Sequence, residues 1–203
     1  NYIVQAVHSQ SSAPGTTTTI IPRDNTIPQN TEGTEFFSVT ITPKNTRDKL
    51  LIEFAGQDSA SIAENITIAL FQDSTVNALA STVVTNGGNQ WGLPAVLRYE
   101  MTAGTTSATT FKIRIGPNSA STAYVNSFDG NQGYGGVMTS SLRVSEINPT
   151  GGGSSSQTTA APVDNSLANG RLTLTAGSPV TSSDVTGASA TTIHPGRPRP
   201  WQG

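Results

Sequence analysis

The sequence predicts an all-β fold: an antiparallel, jelly-roll-like β-sandwich, followed by a Gly/Ser linker and a small, incomplete extension of β and irregular structure. Three observations lead to this prediction. Apolar and polar residues alternate with a period of two in run after run. About eight to ten such runs recur at the roughly 8–12-residue spacing that is typical of sandwiches. No segment of the sequence shows a convincing helical periodicity.

The most informative run covers residues 35–55. Its apolar positions alternate along the run and are Phe37, Val39, Ile41, Leu50, Ile52 and Phe54. The residues between them, such as Ser38, Thr40, Leu51 and Glu53, lie on the opposite face of each predicted strand. Pro43 ends the first half, and the polar turn KNTRD separates the halves. Because period-two alternation places one side of each strand in the core, this run predicts two strands joined as an antiparallel hairpin.

Strands are also predicted elsewhere along the chain, at residues 2–7, 16–21, 66–71, 79–84, 95–102, 111–115, 124–128 and 137–147. The run ITIALF at 66–71 has apolar residues on both sides, which predicts a central strand buried on both faces. Residues 56–63 are predicted to form a polar loop, and 129–136, DGNQGYGG, a long glycine-rich loop. Ile147 lies out of phase with Leu142 and Val144, which predicts a bulge or an early end of the last strand.

This pattern divides the chain into four parts. Residues 1–15 are predicted to form an N-terminal strand and connection, and residues 16–147 the sandwich. Residues 148–157, with the sequence NPTGGGSSSQ, are predicted to form a flexible linker. Residues 158–203 contain the alternating run RLTLT but too few large apolar side chains for a core of their own. They are predicted to be a β-poor extension or the start of a second domain. The ending HPGRPRPWQG is either an extended, polyproline-like docking segment or a disordered tail.

Composition excludes several classes of function. The 203 residues carry a net charge of -2, which gives no electrostatic reason to expect nucleic acid or an anionic membrane as a partner. The absence of cysteine excludes disulfides and thiolate metal sites. No apolar run approaches the roughly 20 residues that a membrane-spanning helix requires. The first residue is Asn1 rather than Met, so we expect a fragment or a processed product.

Several segments resemble modules of tailed-bacteriophage structural proteins, chiefly fibre and tail proteins. The segments are DNTIPQNTEGTEFFSVTITPKNTRDKLLIEF, ALFQDSTVNALAS, YEMTAGTTSATTFKIRIG and GGVMTSSLRVSEI, which together span about residues 3–147 in order. NGRLTLTAGSPVTSSDVTGASATTI resembles a second phage module that often follows fibre domains. The resemblance implies a β-sandwich knob on a virion surface that forms a homotrimer, contacts other virion proteins of the tail, neck or capsid, and binds a host surface glycan or protein. An alternative within this class is a capsid or tail cement protein with no host ligand.

Loop aromatic residues are the best candidates for binding. Trp91 lies in NGGNQWG and Tyr134 in DGNQGYGG, and Asn131 and Gln132 beside Tyr134 complete the predicted set. A ring with a polar edge can pack on a sugar and hydrogen-bond to it at once, and binding residues concentrate on loops carried by a rigid scaffold. The alternative for Trp91 is that it closes one end of the sandwich or a trimer interface.

Catalytic, metal and cofactor sites are not predicted. His8 and His194 have no second ligand at metal spacing, and no Ser occupies a G-x-S-x-G turn. The carboxylates Glu53, Asp58 and Glu64, like the other acidic residues of this region, are interpreted as members of solvated faces. Asp129 and Asn131 do not complete a calcium loop. The sequence therefore predicts a protein that is not an enzyme and needs no cofactor.

Overall fold

Two antiparallel sheets pack face to face, as the alternating apolar pattern predicts. The computed structural model describes residues 1–87 and 92–149, and the backbone of two short strands at 164–168 and 171–175. The strands of the sandwich are β1 (Tyr2–Ser11), β2 (Gly15–Thr17), β3 (Thr34–Ile41), β4 (Lys49–Ala60), β5 (Glu64–Gln72), β6 (Ala80–Asn86), β7 (Leu93–Thr102), β8 (Thr109–Pro117), β9 (Ala123–Val125) and β10 (Ser140–Asn148). Among the described residues the one helical element is a 3-10 turn, Tyr134–Gly136, and none forms a helix that could cross a membrane.

The order of the strands is that of a jelly-roll-like sandwich. In the first sheet the order is β1-β10-β4-β7. β10 pairs with the first part of β4, and β9 pairs with the last part of β4 on the same side. β9 in turn pairs with β2. The second sheet has the order β3-β8-β5-β6. Between β2 and β9, every connection except the β5–β6 hairpin passes from one sheet to the other. The predicted fold class is therefore confirmed.

The predicted hairpin at residues 35–55 is wrong, although both of its strands are present. β3 pairs with β8 in the second sheet, whereas β4 pairs with β10 and β7 in the first. The turn after Pro43 is thus an arch that crosses the sandwich rather than the end of a hairpin. Alternation is the same in either case, because both arrangements bury one side of each strand.

The core lies between the sheets and contains the side chains that the alternation assigned to it. Those of Phe37, Val39, Ile41, Leu50, Ile52, Phe54, Phe111, Ile113 and Ile115 are all buried there. β5 is buried on both faces, as predicted, because its outward-facing Ala69 and Phe71 are covered by Ile21 from the segment after β2. Each large apolar side chain removed from water in this way stabilises the fold by about 1.5–3 kcal/mol.

Several boundaries differ from those predicted. The polar loop expected at 56–63 is mostly strand, because β4 continues to Ala60 and buries Asp58 and Ser59. β1 extends through Ser11 and pairs along its length with β10, so the first residues contribute an edge strand of the sandwich. Of the strands predicted at 16–21 and 124–128, only β2 and the three-residue β9 form.

The irregularity expected near Ile147 is present, but it lies in the partner strand. β10 pairs with β4 without a register shift, and its pairing with β1 slips in β1 between Ile3 and Gln5. Gln5 is opposite Glu146, whose side chain points inwards, and Ile3 is opposite Ile147 on the outer side.

Residues 152–203 form a separate unit. In it β11 (Asp164–Ala168) and β12 (Arg171–Thr175) pair as antiparallel strands, and β12 coincides with the strand expected at RLTLT. The linker residues 150–157 and the Pro/Arg-rich ending lie outside the described residues.

Candidate functional site

The glycine-rich segment forms a loop between β9 and β10, at residues 126–139. Three of the four predicted binding residues are on it: Asn131, Gln132 and Tyr134, all of them exposed. Tyr134 is 76% exposed, one of the highest values for a large hydrophobic side chain in the described sandwich. The loop therefore presents an aromatic ring and two side-chain amides to solvent.

Asn126 fixes the start of this loop. It is buried and has a φ of 55°, a backbone conformation that Asn tolerates better than most residues. Its Nδ2 donates hydrogen bonds to the carbonyl oxygens of Ser11 and Ala13, at 2.9 and 3.2 Å. Its Oδ1 accepts one from Ser140 Oγ at 2.7 Å. One side chain thus joins the two ends of the loop to the end of β1.

Residues near the end of β4 hydrogen-bond to both ends of the same loop. The Gln57 N–H donates to Ser140 Oγ at 3.2 Å, and the Gln57 carbonyl accepts the Asn126 N–H at 3.0 Å. Ser59 Oγ donates to the Ser127 carbonyl oxygen at 2.8 Å. Polar residues at the end of β4, which the sequence suggested were a loop of their own, therefore anchor the loop above them.

The loop is also ordered internally. The Asn131 N–H donates to Asp129 Oδ1 at 3.0 Å, and this bond lowers the pKa of the Asp129 carboxyl below its ordinary value. The ring of Tyr134 meets Phe128 edge to face, with centroids 5.8 Å apart. Its φ of 47° is in the left-handed region, which is uncommon for a bulky residue and concentrates at functional sites.

Trp91, the fourth predicted residue, lies outside the described residues. Its neighbour Gly92 is described and lies close to the base of the loop: a Cβ added there would meet the ring of Phe128 and the side-chain amide of Gln57. The chain that follows Trp91 thus reaches the same end of the sandwich as Tyr134.

Asp58 is the residue that the sequence interpretation placed wrongly. The sequence predicts a solvated face for Asp58, but the residue is fully buried between Leu93 of β7 and Val125 of β9. Neither carboxyl oxygen has a hydrogen-bond partner among the described residues. Burial raises the pKa of this carboxyl to about 7. Its place in a run of small polar residues, GQDSAS, gave no sign that the strand continued through it.

The loop presents groups that can bind a ligand. In the described part of the chain no three His, Cys, Asp or Glu side chains come together as metal ligands would. His8 lies exposed on β1, and His194 falls outside the described residues. An aromatic ring, two amides and a rigid base can pack on a ligand and exchange hydrogen bonds with it.

No protein-family model matches the chain, and no curated protein matches it. Solved structures with some likeness include Eiger TNF from S. frugiperda, at 8% identity and a TM-score of 0.42, over 70% of this chain and 92% of that one. An insecticidal delta-endotoxin from Bacillus thuringiensis matches at 9% identity and 0.35, over 68% of this chain and 19% of that one. The C-terminal domain of EclA, described as a sugar-binding protein, matches at 13% identity and 0.32, over 62% and 79%. At these TM-scores the likenesses carry no inference about function.

Proposed function

We propose that this chain is a non-enzymatic structural protein of a tailed-phage particle, a trimeric fibre or spike knob on the virion surface that contributes to attachment to the host. The observation that carries the proposal is Tyr134, held 76% exposed on a loop that is anchored to β1, β4 and β10. A fixed, exposed aromatic ring loses little conformational entropy when it binds a partner. The resemblance of four long segments to phage fibre and tail modules supports the same class.

The homotrimer is part of this proposal. Exposed apolar side chains on the outer face of the first sheet, among them Ile3 and Val96, are 56% and 66% exposed. Ile3 also lies on β1, an edge strand that pairs on one side only within the described sandwich. Contact between copies would remove such side chains from water. Sedimentation at about micromolar concentration, in the range where specific oligomers persist, tests this; a monomer contradicts it.

A capsid or tail cement protein is the second candidate. It is favoured by the Gly/Ser-rich stretch after the sandwich, because a sequence of this composition suits a protein that tethers other subunits. Imaging of intact particles separates the two functions. A position at the tip of a projection supports attachment, and burial among capsomers supports cement.

The attachment function is tested by particles that carry Tyr134→Ala. We expect weaker adsorption to the bacterial host, because the loop loses its exposed ring while its anchors at Asn126 and Ser140 remain. Tyr2→Ala is the matched control, since Tyr2 is a second exposed tyrosine, at 42%, away from the loop. Adsorption by Tyr134→Ala particles that equals that of Tyr2→Ala and unaltered particles would remove the loop from the proposal.

A further inference from the structure

A polar pocket of about 310 Å³ opens on the outer face of the second sheet, away from the Tyr134 loop. Polar side chains line most of it: Asn30, Glu35, Asp73, Ser74, Lys112 and Arg114. Phe71, which is almost entirely buried, contributes the apolar part of its lining. We call it the outer pocket. It lies at the Gln72 end of β5. The Tyr134 loop is instead held by Ser59, which lies just before the connection that leads into the opposite end of β5.

The cationic side of the outer pocket is fixed in place. Arg114 Nε donates to the Glu32 carbonyl oxygen and Nη2 to that of Gly33, each at 2.7 Å. Its Nη1 makes no hydrogen bond to the described residues and remains available to a ligand. Lys112 Nζ lies 3.6 Å from Glu35 Oε2, a partly exposed ion pair. The guanidinium is therefore oriented before any ligand arrives.

The acidic side is fixed as well. Asp73 Oδ1 accepts the Thr110 N–H at 2.8 Å, and the Asp73 N–H donates to the Thr110 carbonyl at 2.8 Å. Its Oδ2 has no hydrogen-bond partner within the described part of the chain. Asp73 also has a φ of 51°, a strained backbone conformation of the kind that concentrates at binding sites.

Asn30 closes the pocket from a different segment. Its Nδ2 donates to the Thr75 carbonyl at 3.1 Å, and its N–H donates to that of Val76 at 2.8 Å. These bonds tie the irregular segment before β3 to the turn after β5. Since Nδ2 is occupied, Oδ1 of Asn30 and the hydroxyl of Ser74 are the polar groups left on this wall.

The chemistry of these groups selects a ligand class. Two cationic and two anionic side chains give the outer pocket a balanced charge, so it has no strong preference for an ion of either sign. Its lining offers both donors and acceptors, which suits hydroxyl groups because each can donate and accept. A volume of 310 Å³ is at the small end of ligand pockets, enough for one or two sugar rings.

We propose that the outer pocket binds a sugar unit of a surface glycan through Asp73, Lys112 and Arg114. The choice of a glycan as the source of the sugar rests on the proposed attachment function. The match between the pocket and a sugar unit rests on the lining residues and the volume of the pocket. The sheet supplies a rigid platform: β8 carries Lys112 and Arg114 at alternate positions, and their inward neighbours Phe111, Ile113 and Ile115 are fully buried.

Amide NMR of the full-length chain tests this proposal. The ligands are the methyl glycosides of glucose, galactose, rhamnose and N-acetylglucosamine, titrated to about 50 mM, which detects even millimolar affinity. At least one is expected to shift the amides of Asn30, Asp73 and Ser74 in a saturable way. Asp73→Asn should weaken that glycoside about tenfold by removing the charge from one hydrogen-bond acceptor. The amide Oδ1 can still accept the Thr110 N–H, and Asn tolerates the positive φ.

Asp24→Asn is the matched control, because Asp24 is an exposed turn aspartate that likewise accepts a backbone N–H, from Thr26. It should leave the glycoside affinity unchanged. Shifts caused by none of the four glycosides, equal binding by Asp73→Asn, or binding of the zwitterion glycine instead of a sugar would each overturn the proposal. These results differ from failure of the attachment function, which shows as unchanged adsorption of Tyr134→Ala particles.

Discussion

Phe37 and Phe54 meet across the sandwich, with ring centroids 5.4 Å apart and ring planes inclined at 54°. They lie on consecutive strands of the chain, β3 and β4, but on opposite sheets. The pair therefore links the two sheets partway along both strands. Tilted aromatic pairs of this kind add about 0.5–1.5 kcal/mol to the stabilisation that burial alone provides.

Phe54→Ala should reduce the free energy of unfolding by about 3–5 kcal/mol, because it removes a fully buried ring and its aromatic partner. Urea denaturation measures the change. Val83→Ala on β6, in the other sheet, serves as the control: Val83 is 53% exposed, and its loss should change stability by less than about 0.5 kcal/mol. Equal effects of the two substitutions would contradict the core position of Phe54.

Asp58 should make stability fall as pH rises. Its pKa is about 7 in the folded protein against an ordinary value of 3.8, so the fold favours the neutral carboxyl. The stability it contributes is complete below the ordinary pKa, is lost as pH rises through about 7, and changes little above that. The loss is of the order of 4 kcal/mol.

Asp58→Asn isolates this effect, because the amide keeps the shape of the carboxyl and does not ionise. We expect its unfolding free energy, relative to that of the unaltered protein, to increase between acidic and mildly alkaline pH in urea titrations. The control is Asp24→Asn, at an exposed turn whose hydrogen bonds from Thr26 lower the pKa instead. A parallel pH dependence in the Asp58→Asn variant and the unaltered protein would show that the carboxyl ionises without cost.

Glu146 holds the arch between β3 and β4. Its buried carboxylate accepts the backbone N–H groups of Lys44 and Asn45, at 2.7 and 3.1 Å, and Gln5 Nε2 at 2.6 Å. Glu146→Gln would turn an N–H donor towards these donors and should cost about 2 kcal/mol. Burial, and then the neighbouring Glu146, raise the pKa of Asp48 at the other end of the arch.

Hydrogen exchange should locate the effect of Glu146→Gln in the arch. The amides of Lys44 and Asn45 are expected to lose protection before those of β5. Glu53→Gln on the outer face, where Glu53 forms a half-exposed pair with Arg98 at 3.8 Å, should change little. Intact protection at Lys44 and Asn45 in Glu146→Gln would refute the anchoring role.

Two substitutions of Asn126 separate the effect of backbone strain on stability from the effect of the side-chain hydrogen bonds. Asn126→Gly keeps the positive φ but loses the three side-chain bonds to Ser11, Ala13 and Ser140. Asn126→Ala loses those bonds and also strains the backbone, so it should be less stable than Asn126→Gly by about 1 kcal/mol. Denaturant unfolding of both variants measures this difference, and Ala as stable as Gly would be the opposing result.

The sequence pattern predicts most of the core but not the pairing of strands. Alternation identifies Phe37 and Phe54 as core residues, because burial of one face is a local property of a strand. It does not distinguish a hairpin from an arch, since each turn is compatible with the same two faces. Partners such as β8 for β3 are set by contacts distant in sequence.

The candidate sites show a similar division. The exposed Tyr134 was predictable, because an aromatic residue among glycines and amides is typical of a surface loop. Asp58 was not, since small polar residues in a buried strand have the composition of a loop. Nor were the walls of the outer pocket, because Asn30, Asp73 and Arg114 belong to three segments that only the folded chain brings together.

β1 and β10 run antiparallel, with Tyr2 opposite Asn148 and Ser11 opposite Ser140. The start of β1 and the end of β10 therefore lie together at one end of the sandwich. The loop that carries Tyr134 lies at the opposite end, away from Tyr2 and Asn148. Tension between the two ends would unzip β1 from β10 pair by pair before it reached the base of that loop.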